Sequence, residues 1–341
     1  MEISARAYEN ALLNLQECRD QREELRSYPL KLYLEPTEAC HLRCTYCYPA
    51  EQRSRVRMSL ETFRRIEEQL FATACEVNLY LSGEPALCPD LPEMIGICAG
   101  YPLVTKTFSS LSYHNDAMLR SFVEGGVWLN VSFDGAEATR TLRLGSRLDL
   151  IERNLQVLGA LRRDIDNPRF YLRLASVIGA HNVGELEQLV EWARERGFDE
   201  VQLGCLDTSD ANRELQLLPE HACLFDDAVS RADALGMRIS TPSHIGGQRL
   251  PRSSNWKDTP RSIDRFFPHF VETANPDVER RFCPYSWIQT IFTARGDVLA
   301  CCQRKIPVGR FEADTDFMAE IWNNEMYRRL RRFDDHRGCL L

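Results

Sequence analysis

Six short apolar or β-branched runs recur through the first 206 residues: Leu30–Leu34, Val77–Leu81, Val104–Phe108, Val127–Phe133, Phe170–Ile178 and Val201–Leu206. Helical patterns stand between them. Ser59 is a suitable N-cap before Leu60–Phe71, and the pattern of Gly184–Arg196 meets Gly197, a residue suited to stopping a helix. Strands alternating with helices predict parallel βαβ units, hence an α/β fold. Six strands are too few to close an ordinary eight-stranded barrel. In βα barrels the reactive groups sit at the C-terminal strand ends. The motifs that follow strands one, two, four and six are therefore expected on one rim.

The flanks differ in character. Residues 1–27 read as a charged amphipathic helix with Tyr8, Leu12, Leu13 and Leu15 on or near one face. Residues 28–235 carry the strand–helix repeats, and 236–282 read as an irregular bridge, with Gly246-Gly247, several prolines and Arg252-Ser253-Ser254-Asn255. Residues 283–341 form a last segment: Trp287–Ala294, a turn at Gly296-Asp297, Val298–Cys302, then a helix around Phe317–Phe333. No apolar run approaches the ~20 residues that span a bilayer. The N-terminus lacks the pattern of a secretory signal, so a cytoplasmic protein without a membrane partner is expected. Net charge is −8, and the densest basic cluster, Arg328, Arg329, Arg331 and Arg332, reads as a solvated helix face. No nucleic-acid partner is expected, because binding phosphates needs broader neutralisation.

Thirteen cysteines without a secretory signal suggest metal rather than disulfides. Two groups stand out: Cys40/Cys44/Cys47 and Cys283/Cys301/Cys302/Cys339. Cys18, Cys75, Cys88, Cys98, Cys205 and Cys223 read as small buried hydrophobes, the last two with a further possibility given below. The C-x3-C-x2-C spacing lets one loop wrap one four-iron cluster. Such clusters normally take four cysteines, so three leave an iron open for chemistry. For the C-terminal group a structural zinc site is the alternative.

The run Cys40-His41-Leu42-Arg43-Cys44-Thr45-Tyr46-Cys47-Tyr48, including Tyr46 just before the third cysteine, resembles the signature of the radical S-adenosylmethionine (radical SAM) superfamily. The resemblance implies an open, partial (β/α)6 TIM-like barrel, and a 4Fe-4S cluster whose open iron chelates SAM. Ser82-Gly83-Glu84-Pro85 resembles the family's Gly-Gly-Glu-Pro motif, with Ser82 in place of the first glycine; its strand-end backbone would bind the SAM amino group. Ser132-Phe133-Asp134-Gly135-Ala136 and Arg143-Leu144-Gly145 look like the family's fourth-strand segment, which implies Ser132 and Arg143 at the SAM ribose and carboxylate. An arginine fork takes a carboxylate in bidentate fashion, and Arg147 is a second candidate for that place. Gly204 falls where the family places its adenine-contacting sixth strand.

The order Cys283-Pro284, Gly296-x4-Cys301, Gly309-Arg310-Phe311 and Glu320-Ile321-Trp322-Asn323 resembles the SPASM/Twitch extension, a small α+β domain. That implies a second, auxiliary 4Fe-4S cluster on Cys283, Cys301 and Cys339. Its fourth ligand stays open among a cysteine beyond Leu341, Cys302, or a non-cysteine position. The expected chemistry is hydrogen abstraction from an unactivated C–H bond, with electrons fed by a flavodoxin or ferredoxin. Dehydrogenation needs a base, and Asp207, Asp210 or Glu214 follow strand six; epimerisation needs a thiol, for which Cys205 and Cys223 are the candidates. Only about thirty residues precede the cluster loop. That length is short for a peptide-recognition domain and favours a small sugar, aminocyclitol or aminoglycoside substrate in natural-product biosynthesis. A ribosomal peptide is the runner-up. An iron–sulfur electron carrier or sensor without SAM chemistry would leave Ser82–Pro85, Ser132 and Arg143 unexplained.

Overall fold

All six expected runs are strands; the expected run Trp287–Ala294 holds a strand that pairs in parallel with the first, and one further parallel strand, Arg238–Ser240, falls in the segment expected to be irregular. The computed structural model describes residues 3–47, 54–206, 210–245, 248–250, 283–301 and 305–332. The chain forms two compact units, one of residues 1–39, 54–106 and 261–341, the other of 40–53 and 107–260. It passes from the first to the second within β3 (Val104–Ser109).

In the first unit β1 (Lys31–Leu34) pairs in parallel with β2 (Glu76–Asn78), and β2 with the start of β3. On its other side β1 pairs in parallel with β8 (Gln289–Phe292), so Lys31 lies opposite Gln289 and Leu34 opposite Phe292. β9 (Asp297–Leu299) and β10 (Pro307–Arg310) continue antiparallel from β8. The turn at Gly296 has φ +87°, a conformation that favours glycine. Leu32, Leu34, Val77 and Ile291 have essentially no exposed surface, as parallel strands covered on both faces require.

Helix α1 (Ala5–Arg19) docks differently from the expectation. Tyr8 and Leu12 are about half exposed, and the buried face carries Ala7, Asn10, Asn14, Leu15, Glu17 and Cys18. Polar side chains hold it. Asn10 exchanges hydrogen bonds with the Tyr28 backbone and donates to the Thr73 carbonyl, while Glu17 accepts from the Arg26 and Ser27 backbone. A hydropathy stripe misses such a face because its energy comes from satisfied hydrogen bonds, each worth about 1 kcal/mol, rather than from apolar area. Helices α2 (Leu60–Leu70) and α3 (Leu91–Ala99) follow β1 and β2, and Ser59 caps α2 by accepting from the Thr62 amide.

In the second unit the strand order is β4 (Trp128–Ser132), β5 (Tyr171–Ile178), β6 (Glu200–Cys205), β7 (Arg238–Ser240), all parallel. β7 falls in the stretch expected to be irregular; three residues are too short a run to signal a strand without the partner edge that β6 supplies. Connections run through α4 (Asp116–Glu124), α5 (Ala136–Leu142), α6 (Leu148–Ile165), α7 (Leu186–Glu195) and α8 (Ala222–Ala234). Gly197, at φ +75°, follows α7 as expected.

The helix expected over 317–333 is broken. A π-helical turn at Phe317–Trp322 is followed by α10 (Glu325–Arg331), with a short helix α9 (Tyr285–Ile288) earlier, before β8. Asn324 splits the two by capping α10 at the Tyr327 amide. Arg331 departs from the solvated-face expectation: it is 1% exposed, 4.6 Å from the ring centre of Trp322 and 5.1 Å from that of Tyr327. Among the described residues no helix is long and apolar enough to cross a membrane.

Candidate active site

The cysteine loop begins directly after the first strand's extension and is held at its far end by a buried carboxylate. Arg43 and Cys44 form a two-residue antiparallel ladder with Leu144 and Arg143, and the Thr45 amide donates to the Leu142 carbonyl. Tyr46 donates its hydroxyl to Asp134 Oδ2 at 2.5 Å. Asp134 also takes Arg143 in bidentate fashion, Nε to Oδ2 at 2.7 Å and Nη2 to Oδ1 at 2.9 Å, and accepts the Val177 amide at 2.8 Å. The Arg143 guanidinium lies over the Tyr46 ring, 5.5 Å from its centre. Asp134 is 1% and Arg143 8% exposed. Burial works against the charge of Arg143, but the adjoining Asp134 carboxylate outweighs it and holds the guanidinium above its ordinary pKa. Burial likewise pushes the Tyr46 phenol upward, so it stays a hydroxyl donor.

Arg143, expected at a SAM carboxylate, thus spends one edge of its fork on Asp134. Arg147 is exposed and pairs with Asp149. Cys40 and Cys44 are half-buried and Cys47 is exposed. Soft thiolates presented from one anchored loop suit iron–sulfur binding. Among the described residues no group of three His, Cys, Asp or Glu side chains is placed to grip a single metal ion.

In the first unit the turn Ser82–Pro85 is tied to the chain just before Cys40. The Glu84 amide donates to the Ala39 carbonyl at 2.8 Å, and Glu84 is buried. Ser82, the departure from the family pattern, bonds Glu35 through both its hydroxyl and its amide, and the other Glu35 oxygen accepts from Ala294 at 3.0 Å. Glu35 follows β1 and is 2% exposed; only an acid placed right at a strand end hinted at it. Gly83 leaves no room for a side chain, because a Cβ there would meet the Thr37 carbonyl and come within 2.7 Å of that of Ala39. Gly83→Ala is expected to destabilise the protein by about 1–3 kcal/mol and to weaken iron retention, as read by denaturant unfolding and iron analysis. An unchanged unfolding midpoint would show that the 37–39 backbone can yield.

Parallel register aligns the strand ends of the second unit: Ser132 lies opposite Ala175, Val177 opposite Gly204, and Ile178 opposite Cys205. Ser132 and Gly204 are half-buried and Cys205 is exposed. Desolvation of the Cys205 sulfur raises its pKa, which keeps the S–H form a hydrogen-atom donor requires. Cys223 is exposed in the first turn of α8 and donates to the Glu220 carbonyl. Neither thiol is the buried hydrophobe of the general expectation. Asp207 and Cys339 lie outside the described residues, as does Cys302. One residue was not anticipated: His181, just beyond β5, has both ring nitrogens buried without a hydrogen-bond partner among the described residues. Burial lowers its pKa, so the ring stays neutral with one donor and one acceptor unspent.

In the first unit Cys283 precedes α9 and Cys301 follows β9, both half-buried. Cys18 is 4% exposed; burial and then the neighbouring Cys283 push its thiol up to about 12.

Comparison with known proteins adds to this geometry. The model of the radical SAM superfamily matches residues 34–209, and that of the SPASM iron–sulfur cluster-binding domain matches 283–340. A GTP 3′,8-cyclase of Stenotrophomonas maltophilia (strain R551-3) is 30% identical over 297 residues, 81% of this chain and 80% of its own. A PqqA peptide cyclase of Granulibacter bethesdensis is 25% identical over 178 residues, 51% of this chain and 46% of its own. Among solved structures, Streptococcus suis SuiB bound to S-adenosylmethionine superposes with TM-score 0.67 at 15% identity, covering 95% of this chain and 72% of that one. SuiB has also been solved bound to its precursor peptide SuiA. At such low identity this likeness shows the fold: a partial βα barrel with a C-terminal extension.

Proposed function

Given that the chain belongs to the radical SAM superfamily, we propose that it is a peptide-modifying enzyme. It is a radical SAM enzyme with a SPASM domain, and its cofactors are SAM and two 4Fe-4S clusters. When bound, these would supply one-electron chemistry at the sulfonium of SAM, with the electron coming from an external donor.

The chain's own residues have the tasks of binding, orienting and excluding water. Cys40, Cys44 and Cys47 hold the SAM-binding cluster, and the Asp134 node fixes the far end of their loop. The backbone of Ser82–Glu84 binds the SAM amino group, Ser132 and the remaining edge of Arg143 serve its ribose and carboxylate, and Gly204 leaves space for adenine. Cys283, Cys301 and Cys339 hold the auxiliary cluster. Cys205 or Cys223 returns a hydrogen atom if the outcome is epimerisation; Asp207 takes a proton if it is dehydrogenation or crosslinking.

The observation that carries the peptide reading is that the SuiB fold, seen with a precursor peptide, extends over 95% of this chain, including the C-terminal domain. The PqqA peptide cyclase match points the same way. These support a peptide, the second choice from sequence, better than a sugar or aminocyclitol. A second reading, cyclisation of a purine nucleotide, is favoured by the 30% identity to the GTP 3′,8-cyclase.

One assay separates them. The reconstituted protein is incubated anaerobically with SAM and reductant, either with short peptides encoded beside its gene or with GTP, and products are followed by mass spectrometry. The peptide reading expects 5′-deoxyadenosine together with a peptide lighter by two hydrogens, or, in deuterated solvent, one heavier by a single mass unit. Conversion of GTP alone would transfer the conclusion to the second reading.

A further inference from the structure

The auxiliary site shows two described cysteines, Cys283 and Cys301, and its fourth ligand is open. Three elements of the first unit converge there. Asn14 of α1 donates to the Trp287 carbonyl at 2.6 Å, and the Trp287 indole donates to the Arg22 carbonyl at 2.9 Å. Cys18 lies one turn beyond Asn14, hence on the same helix face. It is buried, and Cys283 and Arg331 are among the charges acting on its sulfur.

Arg331 comes from α10. Its Nε donates to the Ser286 carbonyl at 3.1 Å and its Nη1 to the Glu23 carbonyl at 2.8 Å. Its Nη2 is buried with no hydrogen-bond partner among the described residues. Trp322 and Tyr327 cover the face of the guanidinium, which does nothing for an edge N–H. A buried cation with an unspent donor is costly unless an anion completes it. Glu17 and the Cys18 thiol are among the groups acting on the guanidinium, and an iron–sulfur cluster ligated by thiolates is a further anion whose sulfurs accept hydrogen bonds. The burial of Cys18 thus has a use beyond packing.

We propose that Cys18 is a ligand of the auxiliary cluster, supplied by α1 from outside the SPASM segment, and that Arg331 compensates the charge of that cluster. This rests on the two-cluster reading. Cys283 precedes α9 and Cys301 follows β9, and Cys18 joins them from a helix more than two hundred residues earlier in sequence.

The test counts iron and sulfide in the full chain, with and without Cys40→Ala/Cys44→Ala/Cys47→Ala, which removes the first cluster. The wild type should hold about eight irons and the triple variant about four. Adding Cys18→Val, which keeps volume and apolarity, should lower the auxiliary iron at least twofold and change the electron paramagnetic resonance spectrum of the reduced cluster. Cys18→Asp should retain iron with a shifted reduction potential, because an oxygen ligand replaces sulfur. If Cys18 merely packs, the order reverses: Val keeps full iron and an unchanged spectrum while Asp loses it. That reversal overturns the proposal alone. A wild type holding only about four irons, all lost in the triple variant, overturns the two-cluster reading with it.

Discussion

Asp134→Ala is expected to destabilise the iron-free protein by about 3–5 kcal/mol, because it strands the buried Arg143 without its counter-charge. The same change frees the Tyr46 hydroxyl and the Val177 amide, so the cysteine loop loses its anchor. Denaturant unfolding of the apoprotein measures the first effect, and the rate of iron release to a chelator measures the second. The double variant Asp134→Ala/Arg143→Met should recover a large part of the loss, since it removes both charges. Tyr46→Phe should cost only about 1 kcal/mol. If Asp134→Ala alone falls within a few tenths of a kcal/mol of the wild type, the node does not hold the loop.

Cys44→Ala is expected to abolish formation of 5′-deoxyadenosine while leaving the fold nearly intact. Cys44 is half-buried and pairs through its backbone with Arg143, an interaction alanine keeps, so stability should change by no more than about 1 kcal/mol. Only the thiolate is lost, and two cysteines do not hold a cluster that needs three. Iron should fall by about four per chain, to the auxiliary complement. Liquid chromatography of anaerobic reactions reads the nucleoside, and iron analysis reads the cluster. Persistent 5′-deoxyadenosine with the full iron count would assign the first cluster to other residues.

What could be read in advance was local. The strand runs announce themselves because parallel strands covered on both faces need consecutive apolar residues. The cysteine loop is legible because all its ligands lie within eight residues. The remainder depends on partners far apart in sequence. Nothing near Ser82 says that its hydroxyl will meet Glu35, nor near Tyr46 that it will meet Asp134. Arg331 was misread for the same reason: four arginines on a helix look solvated until Trp322, Tyr327 and α9 close over one of them. The buried face of α1 was misread because asparagines count as polar in any hydropathy stripe, yet here Asn10 and Asn14 are buried and donate to backbone carbonyls.

The pairing of β1 with β8 has a consequence for biogenesis. β1 is flanked on one side by a strand made soon after it and on the other by residues 289–292, made more than two hundred residues later. Until those residues leave the ribosome, the first strand keeps an open edge, a template for wrong partners. Trp322 and Asn14, which bond the Ser27 and Trp287 carbonyls, seal the same corner equally late. Chains stopped short of Gln289 should therefore aggregate rather than persist as a smaller stable domain.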